Sequence, residues 1–163
     1  MERGKSKKDS VREGGYYPFV SAKKSNNGIR MFVEKPQKLF PPNTISLNSN
    51  GDGGTGFGYY QSYHYTIDVN TTALIPKNAK IANQFSELFI TGCFGWLHNH
   101  FGNALPLSLK RAQKACIMLP VNDNNEPDYE FMEECGRKMM AKKYIQYLKY
   151  LESTCEFSDL LLK

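Results

Sequence analysis

The stretch Asn50 to Gln61, NGDGGTGFGYYQ, places glycines at 51, 53 and 56 in the spacing G-x-G-x-x-G. In a dinucleotide-binding fold that spacing provides a tight turn and close backbone approach to a pyrophosphate seated on a helix N-terminus, so it needs a strand before it and a helix after it. After Gly56 the chain runs on as FGYYQSYHYTID, rich in aromatic and β-branched residues, which predicts a strand and makes the glycines a loop between two strands. The acidic residue expected to hold a ribose about 20 positions on is offered only by Asp68, inside that β-rich run. A P-loop is excluded because Phe57 stands where lysine must follow the last glycine. No cofactor is expected. The loop is read instead as bare backbone that a ligand can approach closely, beside a strand carrying Tyr59, Tyr60, Tyr63, His64 and Tyr65.

Cys93, His98 and His100 cluster in CFGWLHNHFG and invite a metal reading. A structural zinc site needs four ligands, and no second Cys/His pair lies nearby in sequence, so no metal is expected and the histidines are read as satisfied at a helix end. There is no G-x-S-x-G and no recognisable Cys-His-Asn set, and the acidic PDYE opens a helix; no catalytic residue is assigned. SAKKSNNG, residues 21–28, mixes serine, lysine and asparagine, the side chains that donate to phosphates and read base edges. As a bland alternative, Lys23 and Lys24 are simply a solvated turn.

These residues need elements to hold them. Residues 1–14 are polar, basic and aperiodic, and read as a mobile or ligand-ordered arm. From Tyr16 to Pro76 short apolar runs alternate with turn residues: YYPFVSA, GIRMFVE, TISLN, the aromatic run and TALIP, a β-rich half. Asn26 to Gly28 is a strong turn signal within it. From Ile81 a helical period appears in Ile81, Phe85, Leu88, Phe89 and Trp96, predicting a helix packed on the sheet. Ala115 to Leu119 in ACIMLP predict a last strand, closed by Pro120 and the polar turn VNDNNEP. Asp128 then N-caps a helix predicted to run to about Glu152, with Glu130, Glu133 and Glu134 near its start and Lys142, Lys143 and Lys149 further along. Met132, Cys135, Met139, Leu148 and Leu151 form an apolar stripe on it, with a phase shift near Lys142, and such a stripe seeks a partner.

The chain of 163 residues suits one globular domain with an appendage. The expected class is α/β (α+β): a mixed or antiparallel β-rich domain over residues 1–122, then a long C-terminal helix over 123–163. A formal charge of +5 with pI near 8.9 points toward a polyanion. Four cysteines without C-x-x-C pairing and an opening without a signal peptide favour a reduced, cytoplasmic setting. No apolar run approaches the roughly 18 residues of a membrane span, so no membrane association is expected.

The order of GYYPFVSAKKSNNGI, NTISLNSNGDGGTGFGYYQ and KACIMLPVNDNNEPDYEFMEE resembles the target recognition domain of restriction–modification specificity subunits, of type I and type IIB/IIG. The last motif is the most specific: Leu-Pro-Val, a polar turn with Glu-Pro-Asp, an aromatic, then Phe-Met opening a long helix. The resemblance runs from about Gly4 to about Leu151. It implies a domain that grips double-stranded DNA and reads half of a bipartite target, and a helix that is spacer and docking surface for another such helix and for methyltransferase subunits. Catalysis would reside in those partners, which agrees with the lack of an NPPY or DPPY motif here. The DNA-facing residues it implies are Ser21, Lys23, Lys24, Asn26 and Asn27 in the first loop, and Asn50, Asp52, Thr55, Tyr60, Gln61 and His64 around the second. Family members usually carry a further segment before Gly4, and full type I subunits have two recognition domains and two helices, so a truncated or half-subunit form is expected, acting as a homodimer or paired with another specificity subunit. The competing reading is a non-catalytic interaction protein that binds modification or specificity subunits without productive DNA recognition. An enzyme built on Cys93 to His100 or on the glycines is the third.

Overall fold

The computed structural model describes residues 1–6, 12–51, 54–102 and 104–154. Among the described residues seven strands form two sheets: β1 (Glu2–Arg3), β2 (Glu13–Val20), β3 (Ile29–Val33), β4 (Thr44–Asn48), β5 (Gly58–Gln61), β6 (Thr66–Ile67) and β7 (Thr71–Leu74). One sheet is antiparallel in the order β1-β7-β4-β5. The other, β3-β2-β6, is mixed, since β2 pairs antiparallel with β3 and parallel with β6. Helices come next in the chain: α1 (Gln84–Gly92), α2 (Gly95–His100), the short α3 (Leu109–Ala112) and α4 (Tyr129–Thr154). The expected α+β class and long final helix are what the chain adopts.

Strand β4 explains the layering. Its period of two sends Ile45 and Leu47 into a core with Ile90, Phe94, Leu97, Leu107 and Met132, while Val20, Phe40, Tyr65, Ile67 and Ala73 form a second core. The alternate β4 residues Thr44, Ser46 and Asn48 are buried too, yet polar. Thr44 Oγ1 meets Tyr65 OH at 3.0 Å, and Ser46 Oγ accepts from Gln61 Nε2 at 2.9 Å. Buried polar side chains require such partners, and here those partners lie elsewhere in the chain and fix the register.

Three expectations need correction. Residues 1–6 are no free arm: β1 pairs with β7, Gly4 N donates to Thr71 O (3.0 Å), and Ser6 bridges Asp68. An edge strand is held by backbone hydrogen bonds and needs no apolar face, which is why composition hid it. Gly4 fits because a Cβ there would collide with the Asp68 carbonyl. The basic residues Lys7 and Lys8 lie outside the described residues. Residues 115–119 form no strand, although Ala115, Ile117 and Leu119 pack on the core while Cys116 and Met118 are exposed or nearly so. The alternation is real but no neighbouring strand among the described residues offers it a ladder; beyond it, Val121 bridges Pro127. The helix expected from Ile81 is two, broken at Cys93–Phe94, with α1 beginning where Asn83 Oδ1 accepts from Phe85 N and Ser86 N.

At the far end Asp128 Oδ1 accepts from Phe131 N at 2.9 Å, the expected N-cap of α4. Met132 and Gly136 bury the first turns of α4 against α1, and a Cβ at Gly136 would strike the Phe85 carbonyl. From Ala141 to Tyr150 every residue is exposed.

Candidate nucleic-acid interface

The first loop, residues 21–28, joins β2 to β3, and the second, residues 49–57, joins β4 to β5. Asn26, Asn27 and Gly28 all have positive φ, at 54°, 53° and 74°, which asparagine and glycine tolerate with least strain. The glycines of the second loop do join two strands, as expected. Gly51 and Gly56 have φ of 139° and 87°, and a Cβ at Gly56 would strike the α2 backbone at Leu97 and His98. The spacing that resembles a cofactor fingerprint therefore packs a hairpin loop against a helix and against its neighbouring loop.

That second contact organises the site. A Cβ at Gly51 would lie 2.7 Å from Ala22 Cβ, and one at Gly54 2.8 Å from Ala22 O. Asn48 Nδ2 donates to Lys23 O (3.1 Å), Asn27 Nδ2 to Tyr60 O (2.8 Å) and Gln61 Nε2 to Asn27 O (3.2 Å). Two loops from different sheets are thus fastened into one surface. His98 supports it from beneath: its Nδ1 lies 2.9 Å from Thr55 O and its ring stacks on Phe57 at 4.0 Å.

The eleven residues expected at DNA divide by exposure. Lys24, Asn26, Asn27 and His64 are exposed or nearly so, and Lys23, Asn50 and Tyr60 are half-buried. Tyr60 OH donates to Asn43 Oδ1 at 2.6 Å, and burial raises its phenol pKa above the ordinary value. Ser21, Thr55 and Gln61 are 2%, 1% and 3% exposed. Gln61 uses its amide on Asn27 and Ser46, so it holds the loops together instead of presenting a base-reading edge. Asp52 lies outside the described residues. Sequence reading did not single out Arg30, exposed on β3, or Asn48, wholly buried; neither motif nor periodicity marks them, and only the folded position of the first loop brings them to the seam.

Cys93, His98 and His100 do not converge with an acidic or further sulfur ligand, and no group of three metal-ligating side chains occurs among the described residues. Burial pushes the Cys93 thiol pKa up. His100 stands against Trp96 and Phe101. None of the described helices is long and apolar enough to cross a membrane.

An antiparallel sheet, a mixed sheet, two loops fastened together and a long last helix among the described residues define an α+β fold. It is the fold of solved specificity subunits. The S subunit of a type I restriction-modification system from M. genitalium aligns with TM-score 0.64 and 22% identity, over 94% of this chain and 39% of that one. The HsdS subunit from Thermoanaerobacter tengcongensis aligns with TM-score 0.58 and 14% identity, over 95% of this chain and 37% of that one. In sequence, the type II restriction enzyme BgcI specificity subunit S.BcgI from Heyndrickxia coagulans is 28% identical over 130 residues, 78% of this chain and 37% of that protein. The profile of the type I restriction modification DNA specificity domain matches residues 2–149, and the chain belongs to that family. It spans well under half the length of these relatives.

Proposed function

We propose that this chain is a DNA-recognition module of a restriction–modification system, without catalytic activity of its own, that reads half of a bipartite target and docks a methyltransferase subunit. In this reading residues 1–122 are the recognition domain, and the part from 123 on, which contains α4, is the spacer and docking segment. The observation that carries the reading is the fastening of the two loops into one surface with Lys23, Lys24, Asn26, Asn27, Asn50, Tyr60 and His64 on or near its face. Lysines supply the sequence-independent grip on phosphates, and asparagine side chains have the paired donor and acceptor that base edges require.

The test is fluorescence anisotropy with duplex DNA at several salt concentrations, with the methyltransferase subunit present. Each phosphate neutralised adds about 0.9 to the slope of log affinity against log salt. Lys23→Ala with Lys24→Ala is expected to weaken binding on all sequences and lower that slope by roughly one to two. An unchanged affinity and slope in the double variant would remove the first loop from DNA. The exposed apolar half of α4 would then make an interaction protein, binding modification or specificity subunits without reading DNA, the better account.

A further inference from the structure

Two buried polar side-chain atoms among the described residues lack a hydrogen-bond partner, Ser21 Oγ and Asn48 Oδ1. Both belong to the seam between the loops: Ser21 opens the first loop, and Asn48 donates across to Lys23 O. Buried polar atoms are nearly always paired, so each orphan marks a place that water or a ligand completes; Asn48 Oδ1 only accepts and calls for a donor such as water, while the Ser21 hydroxyl can donate to an anion. A cavity of about 430 Å³ adjoins the seam, with Ser21, Lys23, Lys24, Arg30, Gly51 and Asp68 among its walls.

The charge of the cavity is lopsided. Three cations face one acid, and Asp68 is partly committed: its Oδ1 accepts from Asn70 N and Thr71 Oγ1, each at 2.9 Å. Burial raises the Asp68 carboxyl pKa, with the hydrogen bonds from Thr71 and Asn70 and the Arg30 and Arg3 charges opposing. No aromatic ring stands among the described walls to stack a base. The Gly51 N–H is already given to Asn50 Oδ1 at 3.0 Å, so what remains is a set of cations and a free hydroxyl, the chemistry of an anion seat.

We propose that this cavity seats one phosphate of the DNA backbone, with Lys23, Lys24 and Arg30 supplying charge and the Ser21 hydroxyl a neutral donor. The proposal rests on the DNA-recognition reading and adds Arg30 and Ser21 as phosphate ligands. Serine turns among three staggered positions, so an Oγ without an internal partner is free to swing toward an incoming oxygen.

The experiment uses the full chain with the methyltransferase subunit and a series of duplexes, each with one phosphate replaced by a neutral methylphosphonate. Wild type is expected to lose about tenfold in affinity at one position, the loss typical of a charge-assisted hydrogen bond. At that position Ser21→Ala and Arg30→Gln should lose little further, because the contact is already gone. Arg30→Gln should lower the salt slope by about 0.9. Ser21→Ala should leave the melting temperature unchanged or raised, since it deletes an unpaired buried hydroxyl. Losses that add at every position, or a fall in melting temperature for Ser21→Ala, would overturn the proposal. Free inorganic phosphate that protects the wild type thermally but leaves DNA affinity of the variants intact would also overturn it, by assigning the seat to a small anion. Failure of wild type to bind any duplex at low salt would sink the DNA reading itself, an outcome distinct from binding with additive losses.

Discussion

The Gln61 amide donates twice, to Asn27 O and to Ser46 Oγ, from a position 3% exposed. Truncating it to alanine leaves the buried Ser46 Oγ and the part-buried Asn27 O without that donor, which costs about 1–3 kcal/mol. Gln61→Ala should therefore lower the urea midpoint and weaken DNA binding evenly across sequences, because the loops separate. Asn26→Gly makes the contrast: glycine keeps the positive φ of 54° while deleting the side chain. Its stability should stay within about 0.5 kcal/mol of wild type, and if Asn26 reads a base, affinity should fall by about 1–3 kcal/mol on the cognate half-site alone. Equal effects of the two variants in paired melts and titrations would contradict this division of labour. The sequence made both residues visible as polar groups in the right loops. It could not say which one faces inward, because the tertiary meeting of β5 with a turn some 34 residues away settles that.

Helix α1 carries a different kind of inward polar residue. Glu87 is 2% exposed and faces a cavity of about 260 Å³ walled otherwise by Ile45, Leu74, Ile81, Ile90 and other apolar side chains, and burial pushes its pKa from 4.5 up to about 8. The folded chain thus holds a proton that the unfolded chain releases above its ordinary pKa. Stability from this group is full below pH 4.5, declines as pH rises, and is lost above about 8. Glu87→Gln should flatten that slope and gain on the order of a few kcal/mol at about pH 9 with little change at about pH 4; urea melts at the two values decide it, and parallel slopes in both proteins would refute it. Element by element, the legible parts were those with strong local signals: the short β runs, the Asn-Asn-Gly turn and the Asp128 cap. The β1 edge strand was illegible because backbone pairing and two polar side-chain contacts, Arg3 to Val69 O and Glu2 to Lys38, hold it without an apolar pattern, and the segment 115–119 misled because its alternation packs on a core without a strand beside it.

At the scale of the whole molecule, α4 has two halves. The first is docked on α1 through Met132 and Gly136, with Cys135 half-buried. The second stands clear, with Met139 and Leu148 more than half exposed and Leu151 half-buried. The stripe expected from sequence thus folds back at one end and remains open at the other, and we propose the open end as an interface, since exposed apolar surface of this extent is the kind that partners cover. Self-association through the open end is the expected result of sedimentation at rising concentration, abolished by Leu148→Lys while the melting temperature holds. A monomer at all concentrations, indifferent to that change, would rule out self-association through this surface. The seam between the loops has a bearing on how new binding properties would be sought. Its fasteners, Asn48, Gln61, Gly51, Gly54 and Gly56, are inward or bare, while Lys24, Asn26 and His64 point out. A combinatorial library that randomises Lys24 and His64, and confines position 26 to residues that accept its positive φ, would keep most of its members folded, so that a selection on duplex DNA would sample sequence preference instead of stability.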